Sequence, residues 1–463
     1  MDNGLFSGYL LAEAPSWKAI VGGLHIETGQ QILLGRRNPV VSVPHEPVRR
    51  AAHSAIFGYR SSDEIGLLGG AALEVRLFKT VTLATFYSNK AVHGTVSDDG
   101  QFSPVSGAGL FRTATELAKR NRSRERVLGT VVSLGSERWL VSAAAYHTRY
   151  LHRVLPKGRD SDEGTREFAG VSLSGWLALT NATMSAEFAC QKNRATGFSA
   201  GIVIEPADVC CVGVSGTMFS SGYDRMLAGR RTPEQEVGLH GTAELRPAKN
   251  WKLQGESSFT EYADRWPGEV VRRSHVESSI ALSRRTQVTL RCSVRESPGK
   301  AQTMTADGLV RLIQSSQKRR HIVMSFVTGK GGPLQWTARI DYVVFRYPSG
   351  SRTSGLGISQ HCRWIASPGL SVEGKITLFG TDSYEERFFS FEPEVPGTFS
   401  SRQVFGRGSR SALLVRFRPF TVLELSCSYA VEIKDGARVL GSGMDEISGD
   451  MHGVVTIQID ARL

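Results

Sequence analysis

The stretch LLVRFRPFTVLELSCSY, residues 413–429, decides how the rest of the chain is read. Its first arm sets Leu413, Val415 and Phe417 on one side and Leu414, Arg416 and Arg418 on the other. A tight Arg418-Pro419-Phe420 turn follows, and the return arm sets Leu423, Leu425, Cys427 and Tyr429 against Val422, Glu424, Ser426 and Ser428. Side chains alternate along a strand with period two, so the hairpin has one apolar and one mostly polar face. A soluble sheet turns such an apolar face to a core. A membrane barrel turns it to lipid and keeps charges such as Arg416 and Glu424 inside.

The same cadence recurs along the chain. Short turns are predicted at Ala14-Pro15-Ser16, Phe78-Lys79-Thr80, Gly135-Ser136-Glu137, Thr180-Asn181, Glu205-Pro206-Ala207, Pro247-Ala248-Lys249, Ser283-Arg284-Arg285, Gly329 to Pro333, Ser367-Pro368-Gly369 and Arg418-Pro419. Between them lie long connections rich in charge, Gly, Ser and Pro, at 149–167, 220–233, 295–317 and 384–410. Alternating short and long connections are the habit of outer-membrane barrels, and a sandwich has no reason to show them. Several arms alternate almost without fault: Val237, Leu239, Ala243 and Leu245 against Glu236, His240, Thr242 and Glu244; Trp251, Leu253 and Phe259 against Lys252, Gln254 and Glu256; Val288, Leu290, Cys292 and Val294 against Thr289 and Arg291. Most arms have the roughly 9–11 residues needed to cross a bilayer at a barrel's tilt. Trp139, Tyr150, Trp176, Trp251, Trp336, Tyr347, Trp364 and Phe420 lie near arm ends, where interfacial aromatic girdles sit.

The expectation is therefore an all-β fold: one large, closed, antiparallel transmembrane β-barrel over residues 1–463, with short periplasmic turns and long outer loops. About 20–22 strands are expected. Bulk numbers do not oppose it. The 463 residues are 40% hydrophobic and 22% charged, with mean hydropathy −0.17, which looks soluble, but half of each barrel strand is polar. Forty-nine glycines and scarce helical periodicity favour a turn-rich β chain. No stretch reads as a transmembrane helix, since the longest uncharged run, 169–186, is diluted by small polar residues and alternates. No fixed repeat is visible, which argues against a propeller or solenoid.

Two segments break the cadence. Residues 36–63 alternate poorly and read as an outer loop or as a segment folded into the lumen; residues 113–126 (TATELAKRNRSRER) form the best helix candidate. The six cysteines show no metal spacing and read mainly as small apolar strand residues, with a disulfide left open.

At this point the residues resemble the β-barrel region of helix-hairpin-helix-bearing outer-membrane proteins of Bacteroidota-type bacteria. The resemblance is carried near the start by Val21-Gly22-Gly23-Leu24-His25-Ile26-Glu27-Thr28-Gly29-Gln30, Tyr59-Arg60-Ser61-Ser62-Asp63-Glu64, Gly70-Ala71-Ala72, Thr85-Phe86-Tyr87-Ser88 and Gly109-Leu110-Phe111-Arg112-Thr113 with Glu116-Leu117-Ala118-Lys119-Arg120. Near the end it is carried by Tyr384 to Arg387, Val395-Pro396-Gly397, Gly406-Arg407-Gly408-Ser409-Arg410 and Gly441 to Gly449. It implies a bacterial outer-membrane location, contact with outer-membrane lipid and lipopolysaccharide, and insertion by the barrel-assembly machinery. The helix-hairpin-helix segment is absent from these residues, so DNA binding through it is not carried over.

Chemistry-bearing motifs are sparse. Asp63-Glu64 with Arg60 could pair, but the eleven histidines are scattered with no His-x-x-x-His pair, and His25-Ile26-Glu27 stands alone. Gly329-Lys330-Gly331-Gly332 and Gly406-Arg407-Gly408 lack the phosphate-loop spacing and read as turn glycines. No catalytic, cofactor or metal residue is assigned. The net charge of +12 points to anionic partners. Lys119, Arg120, Arg122, Arg124, Arg126, Arg272, Arg273, Lys318, Arg319 and Arg320 are the candidate binding residues for a polyanion, lipopolysaccharide or DNA. On the expected topology they lie in or beside outer loops. The function expected is a non-enzymatic, porin-like pore or uptake/anchoring component. The alternative is a barrel enzyme with its site in the outer loops, and a soluble or secreted β-protein is a third reading.

The strand count carries one more expectation. The short turns give about twenty arms, the Val454 to Ala461 arm adds one, and bacterial single-chain barrels have even counts. Met1-Asp2-Asn3-Gly4 lacks a basic start and an apolar h-region. The chain is thus expected to be a barrel missing its beginning, with a partner strand upstream of Met1.

Overall fold

A computed structural model describes residues 8–35, 54–59, 67–104, 114–154, 164–223, 235–262, 269–304, 310–396, 401–440 and 447–461. The fold is all-β and of the large antiparallel barrel class, as the alternation predicts. Twenty-four strands belong to one sheet; setting aside the short Ile56–Gly58, Gly94–Val96 and Gln101–Pro104 leaves twenty-one long ones. Consecutive long strands pair antiparallel with their neighbours in sequence through most of the chain. The described residues contain one α-helical turn, Ala114–Leu117.

The hairpin at 413–429 forms as expected, from strands Arg407–Phe420 and Leu423–Lys434, with Leu413 opposite Tyr429 and Val415 opposite Cys427. Its turn falls two residues later than the sequence suggests, because the register slips between Phe417 and Phe420. Similar slips occur at Arg76/Phe78, Ile204/Ala207, Ala281/Ser283 and Ile365/Ser367, all beside short turns. An extra residue in one strand adds local twist, and it moves the predicted Glu205-Pro206-Ala207 turn on to Asp208–Val209. The Gly329 turn needs its glycine: φ is +73°, and a Cβ would run into the Leu334 carbonyl.

Three expectations about connections need correction. Residues 295–317 are mostly strand, since Thr286–Met304 and Val310–Thr328 extend for 19 residues each. Their pairing continues to Met304 opposite Val310, which spends the backbone groups on a ladder instead of on solvent. The far-end connections are not all long, as residues 192–195 and 347–351 are tight. Finally, Ser123–Ser136 is strand, so only one turn of the helix predicted at 113–126 forms. Arginines alternating with Ser123, Glu125 and Val127 make a period-two pattern that pairs with strand Val81–Val92.

The chain divides into two compact units, Met1–Ala243 with Ser258–Val270, and Glu244–Ser257 with Val271–Leu463. In the first, Leu128, Val171, Leu173, Phe188 and Val214 are exposed, while their neighbours Val127, Ser172, Ser174 and Glu187 are buried. In the second, Ile322, Met324, Leu356, Ile358, Leu378, Leu413 and Ile457 are exposed, while Asp341, Ser359, Thr377, Arg410, Ser426 and Ser428 are buried. Leu173 is 59% exposed and Ile457 73% exposed, whereas Arg410 is 6% exposed. A water-soluble sheet would reverse these faces; a lipid-facing wall requires them. No helix among the described residues is long and apolar enough to cross a membrane.

The exposed tryptophans of the described residues, with Phe78 and Phe420, stand at the short-turn ends. In the first unit these are Trp17, Phe78 and Trp139; in the second, Trp251, Trp336, Trp364 and Phe420. Tyr150 and Trp176, expected in this girdle, instead lie on the buried face. The Tyr150 hydroxyl donates to Glu125, and Tyr347 sits in a tight connection with its hydroxyl 2.8 Å from Ser383 Oγ. The parity of the strand, not nearness to its end, decides which way an aromatic points.

Candidate functional site

Each unit carries a segment that folds back from a far-end connection onto its own buried face. In the first unit, residues 28–35 and 54–58 cover strands Trp17–Ile26, Leu68–Phe78 and Ala182–Gln191. Ile32, Leu33, Leu34, Ala55 and Ile56 join Ile20, Leu24, Phe86, Val127 and Tyr146 in one apolar cluster. The backbone of the segment is held by wall side chains. Glu187 Oε2 accepts from the amides of Gln30 (2.6 Å) and Ile32 (3.3 Å), and the Tyr223 hydroxyl donates to the Ile32 carbonyl (3.2 Å). Glu74 accepts from the Ala55 amide at 2.7 Å, and Lys18 Nζ donates to the Ile56 carbonyl at 3.0 Å. Thus the described part of the poorly alternating 36–63 region lies against the inner face.

In the second unit the connection after Leu370–Thr381 opens with a 3-10 turn, Tyr384–Glu386. The turn is capped by Ser383, whose amide donates to Glu386 Oε2 at 2.7 Å. A small hairpin follows, Phe388–Phe391 paired with Ser401–Val404. Phe388 packs into the space that Gly357 leaves by lacking a Cβ, and it clusters with Phe379 and Val404. Further along, Lys375 Nζ donates to the Phe391 carbonyl (2.7 Å), and Gln458 Nε2 donates to the Pro396 carbonyl (3.0 Å).

Ladder register measures the descent. Gly355 pairs with Thr381 near Glu386, whereas Gln458 pairs with Ser426, Ser426 with Arg416 and Arg416 with Ser371. The segment therefore runs from the level of Thr381 to that of Ser371, roughly 30 Å along the strands.

The wall under this hairpin is charged. Arg410 holds Glu392 with both ends of its guanidinium fork, Nη2 lying 2.9 Å from Oε2, and Nη1 lies 3.0 Å from Glu432 Oε2. Asp341 is bracketed by His321 Nε2 at 2.8 Å and by Arg339. Nearer the short turns, Glu373 accepts from Arg416 at 3.0 Å and lies 3.6 Å from His361. Charges removed from water on this scale need partners, and each of these acids has one.

The ten predicted polyanion residues fall on both faces of their strands. Lys119, Arg120 and Arg122 lie between the helical turn and strand Ser123–Ser136. Arg122, Arg124 and Arg126 are exposed and share the face of lipid-side Leu128. Lys318 and Arg320 share the parity of exposed Ile322, with Lys318 Nζ 3.9 Å from Glu296, and Arg272 shares the parity of exposed Val276. Arg273 and Arg319 alternate to the opposite side, and Arg319 Nη2 donates to the Arg387 carbonyl on the inner face. Both stand within strands, Val270–Ser283 and Val310–Thr328, and not in loops; Arg319 touches the inward segment, and Arg273 is exposed.

The remaining motifs settle as follows. Asp63-Glu64 and Arg60 lie outside the described residues. The Gly329 to Gly332 motif is a turn, with positive φ at Gly329 and Gly331, whereas Gly406 is a bend that leads into strand Arg407–Phe420, where Gly408 is already paired with Phe379 and Lys434. The cysteines are free thiols. Among the described residues no group of three or more His, Cys, Asp or Glu is placed to hold a metal.

What sequence reasoning missed is the inward hairpin and its anchors, Arg410, Glu392, Lys375 and Gln458. A faint signal existed: Phe389 and Phe391 alternate with Ser390 and Glu392 inside a connection otherwise read as loop.

No family model matches the chain, and no curated protein matches it. Solved structures resemble it in part. The siderophore receptor PirA of Acinetobacter baumannii aligns with TM-score 0.49 at 8% identity, over 85% of this chain and 70% of that one. The ferric enterobactin receptor PfeA of Pseudomonas aeruginosa aligns with TM-score 0.47 at 10% identity, over 85% and 69%. PirA of Pseudomonas aeruginosa aligns with TM-score 0.43 at 8% identity, over 85% and 76%. No ligand or partner of these receptors is carried over to this chain.

Proposed function

We propose that this chain is a non-enzymatic barrel of the bacterial outer membrane that takes up or passes a solute along its polar inner wall. The observation that carries the reading is the inside-out wall: exposed Leu, Ile, Val and Phe alternate with buried Ser, Thr, Asp, Glu and Arg on the same strands. Apolar exteriors of this extent belong in lipid. A polar interior with a charged wall beneath a folded-in hairpin suits movement of a hydrated solute better than anchoring alone.

The outward basic residues, Arg122, Arg124, Arg126, Arg272, Lys318 and Arg320, belong to the same proposal. Arg122, Arg124, Arg126 and Arg272 stand at or just before the starts of their strands, and Lys318 and Arg320 stand within the long strand Val310–Thr328, next to exposed Ile322 on the same face. Phosphates of lipopolysaccharide at that level would pair with them; DNA is the alternative polyanion. Kinship with the barrels of helix-hairpin-helix-bearing outer-membrane proteins is likewise proposed.

Reconstitution tests the reading. Purified chain should require detergent or bilayer for monodispersity, resist protease once inserted, and carry ions across a planar bilayer, at least after the inward hairpin is shortened. A chain that is monodisperse in buffer without detergent would sink it.

A further inference from the structure

The inward hairpin of the second unit places a hydroxyl, a carbonyl and a carboxylate in a row against a wall of polar and cationic side chains. Ser390 Oγ lies 3.5 Å from Thr377 Oγ1, the Phe391 carbonyl accepts from Lys375, and the Glu392 carboxylate is held by Arg410. Register aligns the donors. Arg339 pairs with Ser359, Ser359 with Thr377, and Thr377 with Arg410, so four adjacent strands present them at one level. Lys375 stands one inward position below Thr377 on the same strand.

The Glu392 side chain is 2% exposed and that of Arg410 6% exposed, so the carboxylate is a buried guest in a guanidinium fork. Glu432, the second partner of Arg410, belongs to the wall strand Leu423–Lys434, whereas Glu392 belongs to the hairpin. Removing the hairpin would thus leave a recess with one vacated fork, that of Arg410, and an ammonium, only partly offset by Glu432, while the Arg339 fork stays on Asp341 and adds its charge at the same level. Such a recess favours oxyanions, since a bidentate Arg matches carboxylate and phosphate geometry.

We infer that Arg410, Lys375, Thr377, Ser359 and Arg339 form a binding site for an oxyanionic solute, a carboxylate or a phosphate. Glu392 is the internal occupant that holds the hairpin across it. This rests on the proposal that the barrel passes solute. An incoming oxyanion exchanges with Glu392 on Arg410, the hairpin loses its ion-paired anchor on the charged wall, and the path along that wall opens. A ligand can shift the hairpin only by as much as it prefers the displaced state, and competition for one fork supplies that preference.

The test is conductance and ion preference of the full chain in planar bilayers, with heat-modifiable mobility as the check that each variant is folded. Glu392→Gln, and separately a form with residues 388–404 replaced by a short Gly/Ser linker, should conduct severalfold more than the parent. Both should show a reversal potential shifted toward chloride. Adding Arg410→Gln and Lys375→Gln to the linker form should abolish that anion preference while leaving the conductance high. Succinate and inorganic phosphate, titrated separately on the parent chain, should each raise current if the site reads oxyanion charge. A response to only one assigns the source.

Folded variants with the parent's conductance and reversal potential would overturn the inference. So would raised conductance without anion preference, because the hairpin would then be a steric constriction only. A folded linker form that carries no current at all would instead break the solute-passage reading on which the site rests.

Discussion

The two inner faces solve the same problem with different chemistry. In the first unit, the folded-back segment is sealed by apolar packing: Ile32, Leu33 and Leu34 enter a continuous cluster with Ile20, Leu24, Phe86 and Val127. In the second, the hairpin touches a small aromatic cluster at its top and is then held by Arg410, Lys375 and Gln458. Apolar burial is non-directional and has no competitor in water. An ion pair and a lysine–carbonyl bond can be exchanged for equivalent bonds to a solute. The first arrangement suits a fixed plug, and the second suits a part that moves.

The largest effect that could break this contrast is in the first unit. Leu34 is 1% exposed, and truncating such a side chain costs about 2–5 kcal/mol when the surroundings cannot collapse. Leu34→Ala is expected to lower the unfolding free energy of the detergent-solubilised chain by that amount, read from denaturant titration of tryptophan fluorescence. A loss well under 1 kcal/mol would mean that the segment is loosely laid on the wall, as in the second unit, and the contrast would fall.

A smaller effect sharpens it. Glu187 is the polar fastening within the apolar seal, accepting from the amides of Gln30 and Ile32. Glu187→Ala removes the acceptor of the buried Ile32 amide, at about 1–3 kcal/mol, and one acceptor of the half-buried Gln30 amide. Hydrogen exchange should speed at Gln30 and Ile32 while Leu24 and Phe86 keep their protection. Exchange that speeds throughout the cluster would make the fastening, and not the packing, the source of the seal.

How much of this was legible in the sequence follows from period two. Alternation reads strand existence and face, so the barrel class, the hairpin at 413–429 and the lipid-side apolar rows could be seen in Leu413, Val415, Leu425 and Tyr429 before any coordinates. Turn positions were readable to within two or three residues, the error being the register slips at Phe417/Phe420 and Ile204/Ala207. The folded-back segments were not readable. Glu392 and Arg410 are 18 residues apart, and nothing local says that a charged connection turns inward instead of into solvent. Nor does composition separate charges by face: Lys318, Arg319 and Arg320 read as one basic run but face alternately outward, inward and outward.

That last point yields the smallest predicted stability effect and separates the basic residues by role. Arg124 and Arg126 are exposed beside Leu128, so each is solvated or headgroup-bound in the folded barrel and already solvated when unfolded. Surface substitutions of this kind usually move stability by no more than about 0.5 kcal/mol. Arg124→Gln with Arg126→Gln should therefore leave the denaturation midpoint nearly unchanged. It should weaken binding to lipopolysaccharide-containing vesicles, and the residual binding should depend less on salt, because fewer charges remain to be screened. Arg319 differs only in strand parity. Its guanidinium donates to the Arg387 carbonyl, and the Arg387 guanidinium lies 4.0 Å from the Tyr384 ring centroid at the top of the inward segment. Arg319→Gln should keep vesicle binding at the parental level while hydrogen exchange quickens around Tyr384 and Arg387. If the two substitutions weakened vesicle binding equally, charge would be acting without regard to face, and the division between a lipid-side row and an inner wall would not hold.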